Sequence, residues 1–250
     1  LKNHHVPIIE TRALWADWHL LAFDAPDLAR SIRPGQFALA RDPSTLDPYL
    51  RRTLWLYEIR DGRVSFILNA HDSLSRSARV GDTLDLLAPL GHALTFEPSA
   101  KHILLLGQGS RTAPLIALAH DAVKLGCEVV VVTRGEIFPS QLLAPEIELR
   151  NDESFDAELI AWADAIVASG AADFYRDLSN AIRAVRLRIP PGFARVWIDA
   201  PMPCGTGMCY ACAVYTHLHR TPSGVQVSRG IKLVCVDGPA LDLLLWERRT

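Results

Sequence analysis

Residues 102–133, HILLLGQGSRTAPLIALAHDAVKLGCEVVVVT, decide the fold class of this chain. HILLLG is a short apolar run of the kind that forms a strand covered on both faces. APLIALAHDAVKL repeats apolar residues at helical spacing and stops at Gly126, and EVVVVT is a second buried strand. A strand, a helix and a strand in succession predict a right-handed crossover and a parallel sheet. The pattern continues with DAIVAS at 164–169, a helical stretch from Asp173 to about Val185, and the strand ARVWIDA after the PPG of 190–192. Gly107 and Gly109 stand at the first strand-to-helix junction, where backbone N–H groups can meet a pyrophosphate. A lone G-x-G also serves as an ordinary turn.

Upstream, residues 6–97 read differently. LWADWHLLAF, QFALA, LWLYEI, VSFILNA and DTLDLLAPL are short apolar stretches broken by Pro, Gly and Asp, which predicts antiparallel strands closing into a small barrel. Downstream lie four of the five cysteines. The expected class is therefore mixed β and α/β in three parts: an antiparallel barrel at 1–98, a parallel-sheet nucleotide-binding domain at 99–192 and a small cysteine-bearing domain at 193–250. The chain has 250 residues, 49% of them hydrophobic, and a net charge of −2 without a basic run, which argues against nucleic acid as a partner. Its longest apolar runs are too short to span a bilayer, and residues 1–12 lack the apolar core of a secretory signal. A cytoplasmic setting is expected, in which clustered thiols read as a metal or redox site.

The late cysteines are spaced Cys204-x4-Cys209-x2-Cys212-x22-Cys235. C-x4-C-x2-C with a distant fourth cysteine is the order of a plant-type [2Fe-2S] site. The spacing has a mechanical basis. A tight loop must wrap a small anionic cluster without pushing side chains into it, and Gly205 and Gly207 allow both the turn and a close approach of amide N–H groups. Structural zinc, the lesser alternative, prefers paired C-x2-C knuckles. Cys127 reads as packing. None of the nine histidines falls in a metal-binding pattern. THLHRTPSGVQVSRG, within the 213–234 insertion, reads as a hairpin that either meets a partner or is a plain surface loop.

An iron–sulfur centre takes electrons singly, whereas a nicotinamide delivers a hydride. A flavin can mediate between them, so the order barrel, nucleotide domain, cluster suggests flavin and nicotinamide sites. RPGQF at 33–37, LRRTLW at 50–55, VGDTLDLLAPLG at 80–91, LLLGQGSRTAPLIALA at 104–119 and the cysteine block follow one another along nearly the whole chain. In this the sequence resembles the ferredoxin-reductase-like flavoproteins, and within them the iron–sulfur electron-transfer subunits of two-subunit, NAD-linked dihydroorotate dehydrogenases. The resemblance implies FAD held by Arg52, Thr53, Leu54 and Trp55, with Ser73 at the pyrophosphate, and NAD(P)H at Gly107, Gly109 and Ser110. The metal ligands it implies are Cys204, Cys209, Cys212 and Cys235, and no residue has a role in substrate chemistry.

The chain departs from that pattern at several places. Trp55 stands where the family has a small hydroxyl residue, and Asp72-Ser73 replaces Gly-Thr. Arg111 falls near a missing third glycine, and Ser169-Gly170 replaces Cys-Gly. LGHAL also stands in place of Gly-Asn-Gly. Two functions stay open. One is a subunit passing electrons from NAD(P)H through FAD and the cluster to a catalytic oxidoreductase partner in a hetero-oligomer. That partner is expected to be a dihydroorotate dehydrogenase subunit of pyrimidine biosynthesis, or another acceptor served by a related reductase subunit. The other is a cluster-bearing binding or regulatory module that has lost flavin, nicotinamide or both.

Overall fold

The computed structural model describes residues 1–46, 49–216 and 230–244. Its first part is a closed antiparallel barrel of six strands: β1 (Lys2–Trp15), β2 (Trp18–Asp24), β3 (Phe37–Arg41), β4 (Arg52–Arg60), β5 (Arg63–Asn69) and β6 (Thr83–Leu90). They are arranged in the order β1-β2-β5-β4-β3-β6, with β6 pairing back to β1. Two short helices, α1 (Pro26–Ser31) and α2 (Ser73–Ser77), interrupt the strand order. The β4–β5 hairpin turns on Asp61-Gly62, both at positive φ, as a two-residue turn between twisted strands requires.

Strand alternation sorts the barrel's side chains into two cores. Ala38, Ala40, Leu54 and Leu56 point into the barrel with Phe23 and Phe66. Phe37, Leu39, Trp55 and Tyr57, one residue out of phase, point outward and join a second core that runs through the α/β sheet. This outward apolar face of β3 and β4 locks the barrel onto the rest of the chain. The β1–β2 tip adds a second anchor: Trp15 meets Phe138 edge-on at 4.8 Å, and the Trp18 indole donates to the Ser110 carbonyl at 2.6 Å.

A buried carboxylate closes the β6–β1 seam. Asp85 accepts from His5 at 2.9 Å and from Arg41 at 3.2 Å. The His5 hydrogen bond outweighs the opposing effect of burial, and with Arg41 holds the Asp85 carboxyl below its ordinary value of 3.8. A depressed folded-state value means that this stabilisation is complete above the ordinary carboxyl range and is lost as pH falls through the lowered value. Asp85→Asn is therefore expected to lower the melting temperature at pH 7 and to narrow its gap to wild type below about pH 4. Melting curves across pH check this, and a gap that stays constant with pH would count against it.

The second part begins with β7 (His102–Gln108), followed by a 3-10 turn (Gly109–Leu115) and α3 (Ile116–Lys124). The helix starts three residues later than the sequence periodicity suggests, because Pro114 lies within the tighter turn and brings no N–H to an α-helical ladder. β8 (Glu128–Arg134), β9 (Glu148–Asn151), α4 (Ala157–Trp162), β10 (Ala165–Ser169), α5 (Ala172–Val185) and β11 (Ala194–Trp197) complete the crossovers. Helix α5 buries Phe174, Tyr175, Leu178 and Ile182, one helical stripe, against the sheet. Arg186, just past α5, donates to the carbonyls of Ile160, Ala161 and Ala163 and so satisfies the end of α4.

The chain ends, as described, with β12 (Ala213–Thr216), β13 (Gly230–Leu233), α6 (Val234–Asp237) and β14 (Ala240–Asp242). The large sheet has the order β14-β11-β10-β7-β8-β9, parallel except for β14. The sheet thus crosses the expected boundary at 192, because β11 and β14 both lie beyond it. The cysteine region is an excursion between two strands of the α/β sheet, tied at each end to its edge.

Candidate functional site

The cysteine loop is shaped by three residues in the left-handed region: Gly205 at φ 66°, Gly207 at φ 80° and Tyr210 at φ 58°. Gly205 is also a point of close approach. A Cβ there would lie 2.7 Å from Leu39 and 2.9 Å from Leu90, so the loop rests directly on the barrel's outer face. The fourth cysteine arrives through hairpin register. β12 pairs with β13 so that Ala213 faces Leu233, and the Val234 amide donates to the Cys212 carbonyl at 3.2 Å. This brings Cys212 and Cys235, 23 residues apart in sequence, to an Sγ–Sγ distance of 3.2 Å. Asp237 fixes the turn behind Cys235 by accepting from the Leu233 amide at 2.7 Å and from Lys232 at 3.1 Å. The hairpin turn expected at 222–224 lies outside the described residues.

The four sulfurs form two pairs, Cys204 with Cys209 and Cys212 with Cys235. Cys204 also acts on Cys235 through its charge, so the two pairs neighbour each other. Burial raises the Cys204 thiol, but the amides of Thr206 and Cys209, the Cys209 thiol and the Met208 amide outweigh it and bring the group down to about 6. Cys235, buried and hydrogen-bonded to Cys212, is pushed up to about 12, with the Gly207 amide opposing the rise. These N–H groups aimed at sulfur would equally stabilise the excess negative charge of thiolates on iron. The donor set therefore fits a binuclear iron centre with two thiolates for each metal. Cys212 and Cys235 are buried, and Cys209 is exposed between exposed Met208 and Tyr210; Tyr215 and Ile231 on the β12–β13 hairpin and Val236 beside Cys235 are also exposed.

The residues expected at a flavin divide. Arg52, at the start of β4, has its Nε 3.5 Å from Asp72 Oδ1 but makes no hydrogen bond through it, although that atom is buried. Ser73 Oγ is likewise buried without a partner. Two buried donors without acceptors, in the segments expected to hold a phosphate, suit an anionic group that would supply oxygens to both. Asp72 has a structural reason to be acidic, since its side chain caps α2 by accepting from the Leu74 amide at 2.9 Å. Arg51 is tied to the carbonyls of Leu39 and Asp85 and to Asn3. Leu54 points into the barrel, so it can offer a ligand only its backbone, and Thr53 pairs with Leu39 on the outer face.

Trp55 is buried. Its ring lies 5.5 Å from Phe37 and 5.2 Å, edge-on, from Trp197. Sequence reading missed Trp197. It lies at the end of β11, opposite Ser169 in parallel register, and its indole Nε1 is buried without a hydrogen-bond partner. Tyr175 holds this corner by donating to the Trp197 carbonyl and accepting from the Gly170 amide. Burial pushes the Tyr175 hydroxyl up to about 12, which keeps it a proton donor. No local signal marks Trp197, because only sheet pairing carries it to Trp55.

The sheet order defines the adjoining crevice. From β7 the strands proceed to β8 and β9 on one side and to β10 and β11 on the other, so the order reverses between β7 and β10. Ligands of open α/β sheets bind outside the carboxyl ends of the strands at such a point. Gly107, Gly109 and Ser110 leave β7 there, and Ser169-Gly170 leaves β10. A Cβ on Gly107 would lie 1.9 Å from Thr112 Oγ1, and Gly109 turns at φ 54°. Arg111 faces Asp199 at 4.0 Å, and Gln108 accepts from the Ala171 amide at 2.8 Å, linking the two loops.

Comparison with known proteins gives a consistent result. Residues 199–243 match the family model described as the iron–sulfur cluster binding domain of dihydroorotate dehydrogenase B. The chain is 30% identical over 226 residues to the electron transfer subunit of dihydroorotate dehydrogenase B (NAD(+)) from Bacillus caldolyticus, covering 83% of this chain and 84% of the relative. The subunit of the same name from Desulforamulus reducens is 25% identical over 255 residues, covering 92% and 93%. Among solved structures, an NADH-dependent reduced ferredoxin-NADP oxidoreductase superposes with a TM-score of 0.72 at 22% identity, over 96% of this chain and 88% of that one. Phthalate dioxygenase reductase superposes at 0.62 and 15%, over 94% of each chain. The two structures establish a shared fold.

Proposed function

Because the chain belongs to the family of dihydroorotate dehydrogenase B electron transfer subunits, we propose that it passes electrons from a reduced nicotinamide dinucleotide through FAD and a [2Fe-2S] centre to a catalytic partner of pyrimidine biosynthesis. The observation that carries this reading is the two-by-two arrangement of Cys204, Cys209, Cys212 and Cys235 under converging amides, seated on the barrel.

In this reading each residue group has one task. The four thiolates hold the iron pair. Arg52 and Ser73 take the flavin's phosphates with the donors that are otherwise unused, and Thr53, Leu54 and Trp55 line the ring's side through backbone and indole. Gly107, Gly109 and Ser110 let a dinucleotide backbone approach the end of β7. When bound, a flavin accepts a hydride and releases electrons singly, which is the exchange an iron pair requires. The exposed large side chains of the cysteine region, Met208, Tyr210, Tyr215, Ile231 and Val236, suit burial against a dihydroorotate dehydrogenase catalytic subunit, in a hetero-oligomer. We assign the protein to the cytoplasm, where free thiols persist. No helix among the described residues is long and apolar enough to cross a membrane.

One observation favours a second reading. Trp55 and Trp197 are packed together, with an indole where the family has a small hydroxyl residue, and Asp72 brings a carboxylate to Arg52. A module that keeps the cluster but has lost flavin would look like this. An absorption spectrum of protein purified without oxygen separates the two. We expect cluster bands together with FAD released on denaturation, and bleaching of both by NADH. Cluster bands alone, unchanged by NADH, would overturn the electron-transfer reading in favour of the module.

A further inference from the structure

A cavity of about 750 Å³ opens where the second half of β4 meets α3, on the seam between the barrel and the α/β sheet. Its size is that of a small-molecule site, and Val123 and Leu142 belong to its apolar wall. The four cluster cysteines do not line it, nor do Arg52, Thr53, Trp55, Ser73, Gly107, Gly109 or Ser110.

Tyr57 gives the first indication of a ligand. The residue is 7% exposed and its ring belongs to the core shared by barrel and sheet, yet its hydroxyl, at the cavity, makes no hydrogen bond among the described residues. A buried phenol left in this state has a donor and an acceptor to offer an occupant.

The charges around it decide the occupant's sign. Two of the three cations are already engaged: Arg12 Nε donates to Glu10 at 2.8 Å, and Arg33 Nη1 donates to the carbonyls of Arg30 and Ile32 at 2.9 and 2.8 Å. The carboxylates of Glu58, Asp121 and Glu146, which also line the cavity, accept no hydrogen bond among the described residues. Burial raises the Asp121 carboxyl above its ordinary value even though Lys124 and Arg33 pull it down, so the cations leave this charge undercompensated. Burial also lowers His120, against the raising effect of Glu58, so its imidazole is neutral at pH 7, and its Nε2 is buried without a partner. Acceptors in want of donors therefore outnumber the one unengaged cation, Lys124.

We infer that this cavity is a separate ligand site for an aliphatic amine with two or more ammonium groups. Its N–H groups meet Glu58, Asp121, Glu146 and the Tyr57 hydroxyl, and its methylenes lie along the apolar wall. An anion of the same size would face three uncompensated carboxylates. The site shares no lining residue with the electron-transfer machinery, so it stands whether or not that reading does. Because barrel and sheet both wall the cavity, an occupant ties the two parts together and stabilises the folded chain.

Titration calorimetry of spermidine into the full, cofactor-loaded chain, with succinate as the anionic counterpart, tests the site. Spermidine is expected to bind with a Kd below about 1 mM and succinate at least about tenfold more weakly. Asp121→Asn and Tyr57→Phe should each weaken spermidine by about three- to tenfold, whereas Glu153→Gln, which alters an exposed carboxylate outside the cavity, should leave it unchanged. Saturating spermidine should raise the wild-type melting temperature by about 2 °C or more. Both cavity variants should fold: Tyr57→Phe removes only a hydroxyl without a partner, and Asp121→Asn removes a charge that burial opposes. Wild type that binds no spermidine, or that binds succinate as tightly, would overturn the inference. So would spermidine affinity unchanged in both cavity variants, or one that falls as far in Glu153→Gln, the mark of loose attraction to surface charge.

Discussion

Cys209→Ser protein, purified without oxygen, is expected to retain about a tenth or less of the wild-type iron and sulfide and to lose its visible bands. The reason is chemical. A serine hydroxyl stays protonated where a thiol ionises, so in the proposed ligand set Cys204 would lose the thiolate paired with it. Cys209 is the most exposed of the four, so the substitution leaves no cavity and the apoprotein should fold as wild type does. Cys127→Ser is the control. That thiol donates to the Ala100 carbonyl at 3.5 Å and packs against the sheet's core, and burial raises it above its ordinary value, so iron content should not change. Iron and sulfide assays decide the matter, and full iron in Cys209→Ser would remove this residue from the ligand set.

Gly107→Ala is expected to destabilise the fold by about 1–3 kcal/mol and to abolish dinucleotide binding. The new methyl would lie 1.9 Å from Thr112 Oγ1 and 2.8 Å from its Cα. Rotating the threonine relieves the first contact only. The second involves backbone, so the turn that presents Gly109 and Ser110 must move as a unit. Thr112 is buried, and its hydroxyl donates to the Gly109 carbonyl at 2.8 Å, so this displacement breaks the hydrogen bond that shapes the turn. A lowered melting temperature with no measurable ADP-ribose binding is the expected pair of results. A variant that binds as wild type does would mean that the dinucleotide does not approach β7.

Much of this molecule is written in short-range pattern. Residues 102–133 announce a strand, a helix and a strand because burial on two faces and helical periodicity are local properties, and the helix begins later than the periodicity suggests only where Pro114 tightens the first turn. The cysteine spacing was equally legible, since a loop that must curl round a cluster needs its glycines at fixed offsets. The boundary at 192 was not legible in the same way. β14 pairs with β11 across a gap of more than forty residues, and nothing in either strand names its partner. Arg51 and Arg52 also look alike in sequence, and only the contacts of Arg51 with Leu39, Asp85 and Asn3 leave Arg52 as the one with an unsatisfied buried nitrogen.

By itself, then, the sequence determined the fold class, the cysteine-rich loop at 204–212 and the glycine turn at the end of β7, because each depends on residues near one another along the chain. Tertiary structure alone decided that Cys212 meets Cys235 and which indole meets Trp55. Those outcomes depend on strand register and on packing between distant segments, and the energy that fixes them is spread over whole interfaces, so no short stretch of residues carries their signature.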